Sequence, residues 1–310
     1  MRHYSGVLPQ VKIVVTGATG FLGSHLLRAL HGEGHELTIL KRNASSTERI
    51  GDFLQDVVSY DLDTGSLEEI FRSKGTYDAI IHTATCYGRG REPASAIQAV
   101  NVDFPLRLLE AGAMAGVDTF FNADTSLPAD MSFYALSKHH FKEWGKIFAG
   151  KRMIRFVNVK LEYFYGVGDD GTKFVSSVIR GCLNNLPELA LTAGEQQRDF
   201  IHVDDVSSVY LLLLRKAAEI DANFQEYQVG SGEPVRVRDL VEMIHDFSSS
   251  KTVLNFGAVP YRKNEVMVSR ADISALADLG WSCGMSLSDG IRKTIEQERD
   301  QMFPYKENNQ

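Results

Sequence analysis

Apolar and polar residues alternate along the first half of the chain in two rhythms. Short, largely β-branched runs predict buried strands, and the longer stretches between them carry apolar residues at helical spacing. Strands and helices in this order are typical of a parallel, doubly wound α/β sheet. The predicted strands lie in VKIVVTGA, HELTILKR, VVSYD, YDAIIHTAT, VDTFFNADT and RMIRFVNVKL, and the predicted helices in FLGSHLLRALHGEG, SLEEIFRSKG, AIQAVNVDFPLRLLEAGAMAG and from about Tyr134 to Ile147.

The pattern loosens after Gly166, where a loop rich in Gly and Asp precedes shorter and more mixed elements. Such a change indicates a smaller C-terminal α/β domain. We expect a first domain over residues 11–165, to which 201–228 return, and a second domain over 166–200 and 229–300. Beyond the loop, we predict strands in ELALTAG and EYQVGSG and helices in KFVSSVIRGCLNN, VDDVSSVYLLLLRKA, RVRDLVEMIHDF, SRADISALADLGW and LSDGIRKTIEQER.

Composition narrows the class of protein without naming a reaction. The 310 residues are 44% hydrophobic and carry a net charge of -7, which predicts a large core and argues against binding to nucleic acid or to an anionic membrane. The three cysteines are far apart and show no disulfide or metal-site spacing. No run approaches the roughly 18 apolar residues of a membrane span, and residues 1–10 lack the pattern of a secretory leader. We therefore expect a cytoplasmic protein without a metal.

The segment VTGATGFLGSHLL places three glycines between the first predicted strand and the first predicted helix. A helix N-terminus favours an anion, because its N–H groups are free and the helix dipole is positive there. Gly17 suits a tight turn, Gly20 allows the backbone to approach a pyrophosphate, and Gly23 allows the helix to pack on the strand. The position between strand and helix favours a dinucleotide site over a simple turn.

The end of the second strand bears on which dinucleotide binds. An acidic residue there binds the ribose 2′-hydroxyl of NAD, whereas this chain has Lys41, Arg42 and Asn43. Cationic side chains attract the 2′-phosphate of NADP. The sequence therefore favours NADP, while NAD, and a reading of these residues as solvated loop charges, stay open.

Tyr134 and Lys138 stand four residues apart in SFYALSKHHF, so a helix carries both on one face. A free tyrosine has a pKa of about 10, too high for efficient proton exchange at neutral pH. A nearby ammonium stabilises the phenolate and lowers that pKa. The pair predicts proton transfer by Tyr134, with Lys138 tuning the phenol and binding the nicotinamide ribose.

Seven motifs occur in one order along the chain. They are TGATGFLGSH, IIHTAT, NV at Asn101, YALSK, YGVGDD, RDFIHVDDV and, near the end, YRKNEVMVSRADISALADLGW. With them the chain resembles, over nearly its whole length, the extended short-chain dehydrogenase/reductase family that acts on nucleotide sugars. The resemblance implies a Rossmann domain for a nicotinamide cofactor, a nucleotide-sugar-binding domain, and a homodimer formed through helices near 100–115 and 134–147.

The resemblance also assigns roles to residues that spacing alone does not single out. It implies that Asp61 and Leu62 lie near the adenine and that Asn101 braces the active site. The residues after the fourth strand are expected to line the cofactor. The full expected cofactor set is Gly17, Thr19, Gly20, Phe21, Leu22, Gly23, Lys41, Arg42, Asn43, Asp61, Leu62, Thr83, Ala84, Thr85, Asn101, Tyr134 and Lys138.

One segment, FFNADTSLPADMSFYALSK, departs from the family pattern because it is short before the tyrosine. Family members usually end the fifth strand with a Ser or Thr that binds the sugar 4-oxygen. Thr125 is the first choice for this hydroxyl and Ser126 the second, while Asp124 at that position, or strand capping alone, stays open. The Asp-Glu pair of sugar 4,6-dehydratases is missing, since Ser126 and Leu127 follow Thr125, so dehydration is disfavoured.

The second domain contributes two arginines and a subgroup resemblance. Arg198 and Arg262 match family positions that bind the sugar diphosphate, a task suited to a guanidinium fork. Lys160 and Tyr163 stand where many relatives have Arg and Asn, so substrate contacts there need not transfer. The strings ILKRNASSTERI, FNADTSLP and LTAGEQQRDFIHVDD look most like bacterial nucleotide-sugar reductases of O-antigen (lipopolysaccharide) synthesis, such as CDP-abequose and CDP-paratose synthases.

Together these features predict an oxidoreductase that uses NADPH to reduce the 4-keto group of a nucleotide-linked 4-keto-6-deoxyhexose. Tyr134 is expected to protonate the oxygen, and Thr125 or Ser126 to polarise the carbonyl. A 4-epimerase with tightly bound NAD is the alternative, because it uses the same residues. A non-catalytic dinucleotide sensor is a third hypothesis, against which Tyr134 and Lys138 argue.

Overall fold

The structure, a computed structural model, describes residues 10–73, 75–219 and 222–303. Residues 1–9, which carry most of the segment without a leader pattern, lie outside the described residues. The chain divides into two units, one made of the chain up to Lys160 with Ser207–Tyr227, the other of Leu161–Val206 with the chain from Gln228 on. Within the described residues, no helix combines the length and the apolar character that a membrane span requires.

Seven strands form the central sheet of the protein. They are β1 (Lys12–Thr16), β2 (Glu36–Lys41), β3 (Val58–Asp61), β4 (Ala79–His82), β5 (Thr119–Thr125), β6 (Arg155–Leu161) and β11 (Phe224–Val229). Their order is β11-β6-β5-β4-β1-β2-β3, so the strand order reverses direction between β1 and β4. The pairs β1 with β2, β1 with β4, β2 with β3 and β4 with β5 are parallel. The predicted doubly wound α/β fold is confirmed.

Helices follow the strands, and one of them is interrupted. The regular ones are α1 (Phe21–Gly32), α2 (Leu67–Ser73) and α5 (Phe133–Gly150). The single helix predicted from AIQAVNVDFPLRLLEAGAMAG is instead α3 (Ala94–Gln98), a π-helical turn (Ala99–Asp103) and α4 (Phe104–Met114). Pro105 lies in the first turn of α4 and has no N–H to donate to the preceding turn, which accounts for the break.

Aromatic side chains fill the core on the α5 side of the sheet. Phe120 of β5 and Phe156 of β6 stack with ring centroids 5.5 Å apart, and Phe141 of α5 meets Phe120 edge-on at 5.8 Å. All three are fully buried. This packing fixes α5 against β5 and β6 and so positions the helix face that bears Tyr134 and Lys138.

The second unit contains three short strand pairs. β7 (Tyr163–Tyr165) pairs with β10 (Phe200–His202), β8 (Glu188–Leu191) with β13 (Val253–Phe256), and β9 (Gln197–Arg198) with β12 (Val235–Arg236). The unit begins at Leu161, a few residues before the loop at Gly166, because β7 pairs within it. Its helices are α6 (Phe174–Leu183), α7 (Val203–Lys216, which ends in the first unit), α8 (Val237–Ser248), α9 (Ser274–Asp278) and α10 (Leu287–Met302).

Helix α9 is shorter than the segment SRADISALADLGW predicts. Ser269 and Ala271 lie before the helix, and their N–H groups donate to the Gln197 carbonyl at 3.1 Å and the Asp199 carboxylate at 3.0 Å. At the other end Gly280 takes a φ of +88°, which terminates the helix. Tertiary hydrogen bonds therefore override the helical periodicity here.

Candidate functional site

The glycine turn after β1 is closed by the protein's own backbone at two of its three glycines. Gly17 has a φ of +72°, and a Cβ there would lie 2.4 Å from the Ala84 nitrogen. A Cβ on Gly23 would lie 2.0 Å from the Gly17 carbonyl oxygen. A Cβ on Gly20 would meet that oxygen at 3.2 Å and leave the rest of its surroundings open. The space at Gly20 is where a phosphate would need to approach.

The N-terminus of α1 has the properties of an anion site. Its cap residue is Gly20, no side chain caps it, and its first turn holds no acidic residue. Phe21 and Leu22 are buried, and Leu62 packs partly against the core. These apolar members of the expected cofactor set would therefore contribute mainly backbone. The turn fits the pyrophosphate of a dinucleotide.

Residues 83–85, after β4, lie beside this turn. The Thr16 carbonyl accepts hydrogen bonds from the Thr83 hydroxyl at 2.8 Å and from the Thr83 N–H at 3.1 Å. Ala84 is the residue whose backbone closes on Gly17. Thr85 donates to Asn101 at 3.2 Å. The structure thus brings the predicted β4 segment and the glycine turn together.

At the end of β2, carboxylates accompany the predicted cationic residues. Lys41 is aligned with Asp61 on β3, and the Asn43 N–H donates to the Asp63 carboxylate at 2.8 Å. Arg42 is exposed. Acidic and basic groups therefore compete at this edge, and the strand ends alone do not decide between NAD and NADP.

Arg49 is a cation near the turn that the sequence reasoning did not single out. Its Nη1 donates to the Thr19 carbonyl at 3.4 Å, within the glycine turn. The segment is fixed by buried Ile50 and by Arg28, which donates to the Arg49 carbonyl at 3.0 Å and pairs with Asp52. Only the three-dimensional path after β2 brings Arg49 there, and no motif in the sequence signals it.

Three polar residues meet at the start of α5. Ser132 caps the helix, because its Oγ accepts the Ala135 N–H at 3.1 Å, and this sets Tyr134 in the first turn and Lys138 one turn later. The side chain of Thr125, the last residue of β5, interacts with the Tyr134 phenol and lowers its pKa. Ser126 lies beyond the strand end. The geometry thus groups Thr125 with Tyr134 and Lys138, and the choice of Thr125 over Ser126 for the hydroxyl role stays a prediction.

Burial dominates the electrostatics of this group. It raises the pKa of the Tyr134 phenol well above its ordinary value, and Tyr87 acts in the same direction. The Thr125 side chain opposes that rise in the pKa. Burial also lowers the pKa of Lys138, which is 2% exposed, to about 8, while the Asp124 carboxylate opposes that fall. In the free protein Tyr134 is therefore a protonated phenol, the form that a proton donor requires.

Asn101 connects the β4 segment to α5. From the π-helical turn, its Oδ1 accepts the Cys86 N–H at 2.7 Å, and its Nδ2 donates to the Cys86 carbonyl and to Ser137 Oγ, both at 2.9 Å. Ser137 in turn donates to the Tyr134 carbonyl at 2.7 Å. Asn101 is completely buried. These contacts join the β4 segment to α5, and the bracing role of Asn101 stays a prediction.

Tyr87 and Arg89 also lie at this group, and the sequence reasoning overlooked them. The Tyr87 ring packs against the Tyr134 ring with centroids 4.9 Å apart, and the Arg89 guanidinium lies 5.3 Å from the Tyr87 ring centre. An aromatic residue between Gly and Cys in TCYGRGR carries no sequence signal for such a contact. The two residues therefore lie beside the Tyr134 phenol.

The predicted substrate arginines lie in the second unit, in different surroundings. The Arg198 side chain is 6% exposed, pairs with Glu265, and lies 5.4 Å from the centre of the Tyr163 ring. Arg262 is exposed in a turn where its carbonyl accepts the Glu265 N–H at 3.1 Å. The Arg198 guanidinium is therefore buried and held in place by the Glu265 carboxylate. Among the residues that the structure describes, no group of three His, Cys, Asp or Glu side chains is arranged to hold a metal.

Comparisons with known proteins show the family to which the chain belongs. The family model "NAD dependent epimerase/dehydratase family" matches residues 13–230. A CDP-abequose synthase of Salmonella muenchen is 35% identical, with 92% of this chain and 97% of that protein covered, and a putative UDP-glucose 4-epimerase of Methanocaldococcus jannaschii is 25% identical, with 91% and 97% covered. The fold matches a crystal structure of UDP-glucose 4-epimerase with UDP-glucose from Thermotoga maritima with a TM-score of 0.81, at 22% identity and over 94% and 99% of the two chains. The chain belongs to the NAD-dependent epimerase/dehydratase family of extended short-chain dehydrogenases/reductases.

Proposed function

We propose that the protein reduces the 4-keto group of a nucleotide-linked 4-keto-6-deoxyhexose with NADPH, in the synthesis of a lipopolysaccharide sugar. The observation that carries the proposal is the Tyr134 phenol, which lies in the first turn of α5, one helical turn before buried Lys138, and interacts with the Thr125 side chain. The 35% identity to CDP-abequose synthase supports a reductase over the more distant epimerases.

The first unit would bind the dinucleotide. The turn at Gly20 receives the pyrophosphate at the α1 N-terminus, where the packing leaves room. Lys41, Arg42 and Arg49 provide positive charge for a 2′-phosphate and offset Asp61 nearby. When bound, the cofactor supplies a hydride to the sugar C4.

The arrangement at the start of α5 accounts for the proton that the sugar oxygen receives. As C4 receives the hydride, the carbonyl oxygen becomes negative, and the Tyr134 hydroxyl donates its proton to that oxygen to give the alcohol. Thr125 polarises the carbonyl before transfer, and the Lys138 ammonium stabilises the phenolate left behind. Solvent returns a proton to Tyr134 after the product leaves.

The second unit would bind the nucleotide diphosphate. Arg198 presents a buried guanidinium whose fork matches phosphate oxygens, and Arg262 offers a second cation. We further propose that the protein is a homodimer through α4 and α5, as its family resemblance implies.

Epimerisation at C4 is the second candidate function. The same Tyr134 and Lys138 serve an epimerase, which retains its cofactor and returns the hydride to the opposite face of the sugar. This candidate is supported by the similarity to a putative UDP-glucose 4-epimerase, which is 25% identical over 91% of this chain.

The deciding experiment measures the loss of NADPH absorbance against product formed. Purified protein is incubated with NADPH and CDP-, dTDP- or GDP-linked 4-keto-6-deoxyhexoses, and separately with UDP-glucose and UDP-galactose without added cofactor. One NADPH oxidised per alcohol formed is the expected result. Sugar inversion without net oxidation would overturn the reductase proposal and establish the epimerase.

A further inference from the structure

Asp124 is a buried carboxylate that the proton-transfer scheme above does not use. It precedes Thr125 at the end of β5 and is 3% exposed. Its Oδ1 accepts the Thr125 N–H at 2.8 Å, and its Oδ2 accepts Asn158 Nδ2 at 2.8 Å. Both oxygens are thus held in place by neutral N–H donors.

The hydrogen bonds continue from Asp124 through buried Asn158 to half-buried Glu226. Asn158 Nδ2 also donates to Glu226 at 2.9 Å, and Asn158 Oδ1 accepts Asn122 Nδ2 at 2.7 Å. Glu226 forms an ion pair with Lys142 at 3.3 Å. The network therefore contains two carboxylates with different partners, since Glu226 has a cation in direct contact and Asp124 is bonded through neutral groups. A buried carboxylate of the second kind is costly unless a nearby charge compensates it.

The nearby charge is the ammonium of the catalytic pair. Asp124 raises the pKa of Lys138 against the larger, opposite effect of burial. It also adds to the burial that raises the pKa of Tyr134. Both effects have one origin, because a negative charge stabilises a neighbouring ammonium and destabilises a neighbouring phenolate.

We propose that Asp124 is a positioning residue that keeps Lys138 protonated and Tyr134 neutral, and so holds the site ready to donate a proton. The inference rests on the proposed function for its meaning in turnover, since a reductase needs the phenol as an acid at the start of each cycle. The effects of Asp124 on the protonation of Lys138 and Tyr134 are present in the free protein, without cofactor or sugar.

The other groups facing the pair do not replace this carboxylate. His82 on β4 is completely buried, and burial lowers its pKa well below the ordinary value, so it stays neutral beside Lys138. Arg89 favours the phenolate of Tyr134 and thus acts against Asp124. The titratable and charged groups around the pair and its carboxylate are His82, Tyr87, Arg89, Asp124 and Tyr210.

NMR of protein with ¹³C-labelled lysine side chains tests the proposal directly. The Lys138 signal, identified by its loss in Lys138→Met, is followed against pH in the free protein. It is expected to titrate near pH 8 in the wild type, where its pKa is about 8, and lower by about one pH unit in Asp124→Asn, because the stabilising charge is gone. A Lys138 titration that stays in place or moves up in this variant would overturn the proposal.

Two further variants control for misfolding and for an effect of the whole hydrogen-bond network. Asp124→Asn turns an amide toward the Asn158 donor and can disturb the fold, so Asp124→Ser, whose hydroxyl still accepts the Thr125 N–H, provides the same test with a smaller side chain. Glu226→Gln removes a carboxylate bonded to the same Asn158 and is expected to leave the Lys138 titration in place. An equal shift in Glu226→Gln would assign the effect to the network as a whole and contradict a specific role for Asp124.

The pH profile of ketone reduction adds a functional readout. Reduction needs charged Lys138, so activity is expected to fall above its pKa of about 8, and this limb is expected to move to lower pH in Asp124→Ser. An unmoved limb would contradict the proposal. If none of the keto sugars oxidises NADPH, the proposed function fails, while the NMR titration, which needs neither cofactor nor sugar, still decides the role of Asp124.

Discussion

The two units place their candidate site residues by different means. In the first unit, Tyr134 and Lys138 share one turn of α5, and the three glycines share one turn between β1 and α1. In the second unit, Arg198 takes its surroundings from Glu265, 67 residues away in sequence. Local geometry follows from local sequence, whereas the state of Arg198 depends on how distant segments pack.

The largest expected effect tests the local arrangement. Tyr134→Phe removes the proton donor and is expected to lower reduction by about 10²- to 10⁴-fold, while NADPH binding stays nearly intact because Lys138 still holds the ribose. Stopped-flow absorbance and NADPH fluorescence titration measure the two quantities. Tyr227→Phe, the same change at another buried tyrosine of this unit, is the control and should be near wild type. Retained reduction in Tyr134→Phe would remove Tyr134 from the mechanism.

Sequence reasoning reached the sheet, its helices and the α5 pair, because alternating apolar runs and short-range spacing specify them. It predicted one helix where Pro105 divides α3 from α4, and it overlooked the short strands β7, β9, β10, β12 and β13, which two to four residues of sequence do not mark. Tyr87 and Arg49 reach their places only through folded loops. Long-range placement is what periodicity and motifs do not encode.

The next effect tests the distant arrangement. Arg198→Gln is expected to weaken binding of the nucleotide sugar by about 2–5 kcal/mol, since a buried charge that would pair with the diphosphate is lost. Calorimetry with CDP or the matching nucleoside diphosphate measures the change, and NADPH affinity should stay the same. Arg236→Gln, an exposed arginine paired with Asp239, is the control. Equal affinity for the diphosphate in wild type and Arg198→Gln would refute the assignment.

The outer face of α5 exposes large apolar side chains, and a second copy of the chain is the expected partner for this face. It exposes Trp144 at 46% and Ile147 at 54%, opposite the face that carries Lys138. If a second copy covers this face, Trp144→Glu is expected to weaken dimerisation by about 2–4 kcal/mol, because a central aromatic contact is replaced by a charge. Analytical ultracentrifugation measures it, with Val253→Glu on β13 as an exposed apolar control. A monomeric wild type at micromolar concentration would rule out the dimer.

The smallest expected effect concerns the choice between NADPH and NADH. At this edge of the first unit, residues from separate segments of the chain come together. Arg42→Ala is expected to reduce the preference for NADPH over NADH by about 1.5–3 kcal/mol, the range of a hydrogen bond to a charged group. The same change at Arg49, which the structure places at the Thr19 carbonyl, is expected to act in the same direction. Fluorescence titration of both cofactors separates the 2′-phosphate from the shared pyrophosphate, because only the former changes the ratio of affinities. Lys12→Ala, at a partly exposed cation paired with Glu36 at the start of β2, is the control.

Comparing Arg42→Ala with Arg49→Ala also shows whether the cofactor preference depends on a residue that the sequence pattern marks or on one that only the fold brings close. A loss of preference confined to Arg42→Ala would mean that the strand-end pattern alone reads the 2′-phosphate, as the residues at 41–43 suggest. A loss confined to Arg49→Ala would give that role to a residue that only the folded loop brings to the glycine turn. Unchanged ratios in both variants would leave Asp61 and Asp63 as the dominant charges at this edge and turn the cofactor assignment toward NAD.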